Sequence, residues 1–197
     1  MKLCVFQGTF NPIHNAHLRV AEFVMDKYNF DKILFIPAYN PPHKNCDIDM
    51  SVHRYNMVKL ALKTYDNIEV SDIEYKRKGV SYTYLTICEL IKKYNIKDEK
   101  ISFIIGTDAF EKIESWYEAD KLKKLVHFIV FVRENNFIPQ KLEKLREKGY
   151  DFVIESLAFE DISSTELREN IKNNISIKNL VSKKVEEYIY QHGLYKN

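Results

Sequence analysis

Four apolar runs divide the chain into units of strand then helix: Leu3-Cys4-Val5-Phe6, Lys32-Ile33-Leu34-Phe35-Ile36-Pro37, Ile101-Ser102-Phe103-Ile104-Ile105 and Phe128-Ile129-Val130-Phe131-Val132. Strands that read as near-continuous apolar runs are buried on both faces, and parallel strands need a long crossover, usually a helix. Alternation of such runs with amphipathic segments therefore predicts an α/β fold, a doubly wound, mostly parallel sheet with helices on both faces. In sheets of this kind ligands bind outside the carboxyl ends of the strands. At 197 residues the chain has the length for one well-buried domain, 1–197, with a C-terminal helical portion from about residue 163.

The first unit carries the densest polar chemistry. Its strand ends at Gln7-Gly8, and Gly8 is expected to take the positive φ of a sharp turn. Leu18, Ala21, Val24, Met25 and Tyr28 recur at helical spacing, so a helix begins near Asn15, shortly after Pro12. A strand, a tight turn and a helix start aim free backbone N–H groups and the positive end of the helix dipole at one spot, a ready anion site. His14 and His17, three apart, share one face there.

Further along, a second helix carries Met57, Leu60, Ala61 and Tyr65, with Arg54 on an adjacent face, and Ile68 to Ile73 alternates as a strand. The basic loop Lys76-Arg77-Lys78-Gly79 reads as a solvated turn before a helix opened by Ser81-Tyr82-Thr83-Tyr84. A short helix is expected over Ala109 to Trp116, another over 139–148, and a strand around Phe152-Val153-Ile154. Ser163 with Glu166 three residues later is a capping-box pattern for a helix from about Ser164 to Lys172, and a last amphipathic helix with Val181, Val185, Tyr188 and Ile189 stops at Gly193. The polar groups cluster where strands end: Gly8 to His17, Pro41 to Lys44, Gly106 to Asp108, Arg133, and Ser163 to Arg168.

A formal charge of +2 is too small to imply nucleic acid as the main partner, and none is expected. No apolar run approaches the ~18 residues of a spanning helix, so no membrane partner is indicated. The N-terminus lacks a signal-peptide cleavage pattern, and Cys4, Cys46 and Cys88 are too scattered for a disulfide framework or a metal site. A cytoplasmic protein is expected. Two histidines without a nearby third ligand argue against a dedicated metal centre.

Gly8-Thr9-Phe10-Asn11-Pro12-Ile13-His14-Asn15-Ala16-His17 resembles the phosphate-binding signature of nucleotidyltransferases, with its paired histidines, and Ile162-Ser163-Ser164-Thr165-Glu166-Leu167-Arg168 resembles their second signature, ISSTxxR. Pro41-Pro42-His43-Lys44, Ser81-Tyr82-Thr83, Gly106-Thr107-Asp108 and Trp116-Tyr117 are similar to the bacterial nicotinate-nucleotide adenylyltransferases, over essentially the whole chain. The resemblance implies a Rossmann-like nucleotidyltransferase fold and transfer of AMP from ATP to nicotinate mononucleotide, with Mg²⁺ held mainly by the ATP phosphates.

It also implies roles. His17, His14, Lys44 and Arg168 would be catalytic. Gly8, Thr9, Phe10, His14, His17, Gly106, Asp108, Ser163, Ser164 and Arg168 would bind ATP, and Asn11, Lys44, Thr83, Trp116, Tyr117 and Arg133 the mononucleotide. Gln7 and Ala16 stand where the family has glycines, and Ala16 is expected to add a methyl where a phosphate must approach. Three alternatives stay open: a sister enzyme acting on nicotinamide mononucleotide, one acting on phosphopantetheine, and a nucleotide-binding regulatory module without catalysis. Assembly into a homo-oligomer is left open as well.

Overall fold

The structure, a computed structural model, describes residues 1–42, 48–97, 99–132, 139–157 and 162–196, the side chains of 139–141 excepted. Strands β1 (Leu3–Gly8), β2 (Lys32–Pro37), β3 (Ile68–Val70), β4 (Ile101–Gly106), β5 (Val126–Val132) and β6 (Phe152–Ser156) form one sheet in the order β3-β2-β1-β4-β5-β6. Every pairing is parallel. The chain winds outward from β1 in one direction through β2 and β3, then returns beside β1 and winds the other way through β4 to β6. The crevice between the ends of β1 and β4 is thus the point where strand order reverses, the position at which such sheets bind ligands.

The helices are α1 (Asn15–Tyr28), α2 (Asp49–Ala61), α3 (Ile73–Arg77), α4 (Thr83–Tyr94), α5 (Thr107–Phe110), α6 (Ala119–Leu125), α7 (Pro139–Glu147), α8 (Ser164–Lys172) and α9 (Lys183–Gln191), with a 3-10 turn at Ile113–Ser115. Alternate side chains of a strand point to opposite faces, and the sheet accordingly divides two cores. Cys4, Phe35, Ile104 and Ile129 pack with Val24 of α1, Met57 of α2, Leu167 of α8 and Ile189 of α9. Val5, Leu34, Phe103 and Phe128 pack on the other side with Ile87 of α4, Leu122 of α6 and Leu142 of α7. The parallel sheet, helices α1, α2, α4, α7, α8 and α9 and the capped start of α8, where Ser163 Oγ accepts from the Glu166 N–H at 3.1 Å, are as the sequence predicts.

Several local expectations are corrected. The strand expected over 68–73 stops at Val70, and Ile73 instead opens α3, whose last residue, Arg77, is anchored to Glu89 Oε1 at 3.1 Å and to Thr86 Oγ1 at 3.0 Å rather than solvated. The helix expected over 109–116 is split into α5 and the 3-10 turn, and α6 follows where none was expected. Gly8 stays in the strand, and the positive φ of the turn falls on Phe10 at 48°. Gly8 matters for another reason: a Cβ there would lie 3.0 Å from the Phe10 ring, tight enough that the ring would have to give by a few tenths of an ångström. Arg54, read on a face adjacent to the apolar one, is fully buried.

Candidate functional site

Two cavities open at the reversal point, one of about 680 Å³ and one of about 770 Å³, sharing a wall of Phe6, Gln7, Gly8, Thr9, Gly106, Asp108 and Ala109. The larger is polar and lies between the turn after β1 and the start of α8, lined by Asn11, His14, His17, Ser163, Ser164 and Arg168 as well as the shared wall. The smaller is walled by Pro41, Pro42, Ser81, Tyr82, Thr83, Trp116 and Tyr117, with Lys112 and Ser115 beside them.

In the polar cavity the two histidines sit at the first turn of α1, His14 as its N-cap in extended conformation. Their rings stack at 3.6 Å between centroids, and the His14 N–H donates to His17 Nδ1 at 3.2 Å. An Nδ1 that accepts leaves the ring proton on Nε2, so His17 is set up as an Nε2–H donor. Phe10 holds that ring from beneath, edge-on at 5.0 Å, and itself packs on Phe6 and Phe35. The helix start supplies further N–H groups and dipole.

Facing it, α8 is stitched to the same turn. Ser164 Oγ donates to the Pro12 carbonyl at 2.9 Å, and Arg168 donates through Nη1 to the Asn11 and Ser164 carbonyls at 2.8 and 3.0 Å. Two helix starts, distant in sequence, thereby become the jaws of one cavity. Ala16 is buried in the core and lies outside the lining of this cavity, so its methyl does not obstruct it. Asn11, expected with the acceptor, lines the polar cavity instead, its Oδ1 accepting from the Tyr195 hydroxyl at 2.7 Å.

In the aromatic cavity Tyr82 and Tyr117 stack at 4.4 Å, and Trp116, half-buried, meets Phe103 edge-on at 6.4 Å. Together they offer flat apolar faces to a planar ring. Thr83 is the first residue of α4 and Asp108 and Gly106 stand where the cavities meet. Lys44 and Arg133 lie outside the described residues. Sequence reasoning missed Tyr82, Lys112 and Gln7 as lining residues. Tyr82 had a signal, its place directly before Thr83; Lys112 had none, because a surface lysine on an irregular turn is common. Among the described residues no group of three or more His, Cys, Asp or Glu side chains stands together as a metal site, and no described helix is long and apolar enough to cross a membrane.

Comparison with known proteins agrees with this geometry. A cytidylyltransferase-like family model matches residues 5–170. The chain is 41% identical to a probable nicotinate-nucleotide adenylyltransferase of Caldicellulosiruptor saccharolyticus, over the whole of both chains. It is 40% identical to a protein of the same description from Staphylococcus epidermidis, covering 98% of this chain and 97% of that one. Among solved structures, the nicotinic acid mononucleotide adenylyltransferase of Plasmodium falciparum complexed with NaAD superposes with a TM-score of 0.80 at 21% identity, covering 98% of this chain and 96% of that one, a likeness of fold.

Proposed function

We propose that this chain, which belongs to the cytidylyltransferase-like family and within it to the nicotinate-nucleotide adenylyltransferases, transfers AMP from ATP to nicotinate mononucleotide, giving deamido-NAD and pyrophosphate in NAD biosynthesis. The observation that carries the reading is the pair of unlike cavities sharing one wall at the reversal point of the sheet. One suits a triphosphate and the other a planar base, and a phosphate on that base would meet the triphosphate at the wall between them.

The acceptor's phosphate has a second pKa near ~6, so its attacking oxygen is ionised at neutral pH and needs no base and no covalent enzyme intermediate. What the protein supplies is positioning and stabilisation of charge on the α-phosphate and the departing pyrophosphate. His17, donating from Nε2, meets charge developing on the α-phosphate, with His14 and the Thr9 hydroxyl beside it. Gly8, Phe10 and Gly106 shape the approach of ATP. Ser163, Ser164 and Arg168 hold the β- and γ-phosphates, and Asp108 accepts from the adenosine ribose hydroxyls. Trp116, Tyr117 and Tyr82 stack on the pyridine ring, Thr83 and Lys112 favour its carboxylate, and Lys44 and Arg133 serve the acceptor's phosphate. Asn11 acts through the turn it shares with Arg168 rather than on the acceptor ring.

Asp108 is the only carboxylate among the described lining residues of the two cavities. That donor set fits a Mg²⁺ that would be held mainly by phosphate oxygens and water, with Asp108 as the lining carboxylate that could hold it, and that would neutralise triphosphate charge. Purified protein given Mg-ATP and nicotinate mononucleotide is expected to form deamido-NAD and pyrophosphate in equal amounts; pyrophosphate without the dinucleotide would contradict the transfer.

A further inference from the structure

Arg54 and Glu74 are the most deeply buried charged side chains among the described residues, at 0% and 1% exposure, and neither lines a cavity. Taking a charge out of water is costly, and well-packed apolar residues of similar volume often serve stability as well or better. Arg54 nevertheless sits one turn from Met57 and Val58 of the core, with a buried Nε that has no hydrogen-bond partner among the described residues. Its other nitrogens donate to two backbone carbonyls: Nη1 to Thr9 at 2.8 Å, in the turn after β1, and Nη2 to Tyr39 at 3.2 Å, in the segment after β2.

Glu74 grips the same segment from the other side. Its Oε2 accepts from the Tyr39 N–H at 3.2 Å, while Oε1 accepts from Gln7 Nε2 and from Thr86 Oγ1, each at 2.6 Å. The Tyr39 backbone is therefore held by a buried cation on its carbonyl and a buried anion on its N–H. The next residue carries the hold onward: the Asn40 N–H donates to Ser81 Oγ and the Asn40 carbonyl accepts from the Ser81 N–H, both at 2.9 Å. Thr9 lines both cavities, and Ser81 and Pro41 line the aromatic one.

We propose that Arg54 and Glu74 are positioning residues which, through the Tyr39 backbone, fix the distance between the phosphate-binding turn and the acceptor cavity. This rests on the adenylyl-transfer reading above. In-line attack across the shared wall is sensitive to that distance, because a misplacement of ~1 Å can cost about 100-fold in rate. Binding of either nucleotide alone is less sensitive to it, since outside the shared wall neither Arg54 nor Glu74 bonds to His17, Ser163, Arg168, Trp116 or Tyr117.

Arg54→Lys tests the cation, because one ammonium cannot reproduce the planar fork that reaches both carbonyls. Glu74→Gln tests the anion at constant shape, because the neutral amide removes the charge that accepts from the Tyr39 N–H and stands 3.6 Å from the Arg77 guanidinium. Each variant is expected to lose about 10- to 100-fold in kcat. Affinity for a non-hydrolysable ATP analogue alone, and for nicotinate mononucleotide alone, should stay within about threefold of wild type. The double variant should fall no further than the worse single one, because both act through one backbone segment. Unchanged kcat below the melting temperature, or losses that multiply, would overturn the proposal.

Amide exchange on the wild-type protein gives a readout that needs no variant. The Tyr39 amide should be protected in the free protein, and exchange as fast as an unbonded amide would also overturn the proposal. Wild-type turnover is measured first. No dinucleotide there contradicts the transfer reading, whereas wild-type turnover matched by both variants contradicts the positioning role alone.

Discussion

The polar cavity and the aromatic cavity are built by different means. The polar one is made largely of backbone and short side chains at two helix starts, locked to each other by Ser164 and Arg168 through the Pro12 and Asn11 carbonyls. The aromatic one is made of rings on irregular segments, Tyr82, Trp116 and Tyr117, whose placement depends on contacts made elsewhere. The difference separates two tasks. A triphosphate is recognised by dipoles and donors that any helix start provides once it is aimed, while a planar base needs surfaces that the tertiary fold must bring together.

Substitutions that strike one cavity and spare the other sharpen this contrast. His17→Ala should have the largest effect, a fall in kcat of about 100- to 10,000-fold with little change in melting temperature. Near-normal turnover would take His17 out of the chemistry. Trp116→Ala should raise the KM for nicotinate mononucleotide about 10-fold or more, as loss of one base-stacking face would, with the KM for Mg-ATP unchanged. If both constants rose together, the cavities would not be separate tasks.

A smaller effect is expected from Gly8→Ala, whose added methyl presses on the Phe10 ring at 3.0 Å. Overpacking of this kind costs about 1–3 kcal/mol, read as a lower denaturation midpoint, and because Phe10 seats His17 it should lower kcat more than the KM for the acceptor. The smallest effect lies away from both cavities, at Asp151. Its burial pushes the carboxyl up, but Lys100 at 3.0 Å and His127 at 3.0 Å outweigh that and hold it below its ordinary value of 3.8. A carboxyl lowered by folding stabilises the fold above its unfolded value and loses that contribution as pH falls toward the folded one. Asp151→Asn should therefore reduce stability slightly at neutral pH and not at all in strong acid, while leaving turnover at neutral pH intact.

How much was legible follows the same division. The sheet could be read because buried parallel strands are apolar throughout, and the start of α8 because a serine cap three residues before a glutamate is a local pattern. The histidine pair was visible for the same reason, since its neighbours in space are its neighbours in sequence. Arg54 could not be placed: its residue type predicts exposure, and only the tertiary carbonyls of Thr9 and Tyr39 make its burial tolerable. The role of Gly8 was misjudged because the close approach of Phe10 depends on a turn whose positive φ a non-glycine residue adopts. The break after Val70 was hidden because Ile68 to Ile73 alternates like a strand, while the start of α3 is set by Glu74 turning inward to Gln7 and Tyr39.

The central claim is that the aromatic cavity chooses the acceptor while the polar cavity performs the same phosphate chemistry on whatever is presented. The most direct measurement is kcat/KM for nicotinate mononucleotide and for nicotinamide mononucleotide on one preparation with saturating Mg-ATP. A carboxylate-seeking cavity predicts a ratio well above about 10 in favour of nicotinate, arising on the acceptor side with the KM for ATP the same in both assays. Equal or reversed values would contradict it.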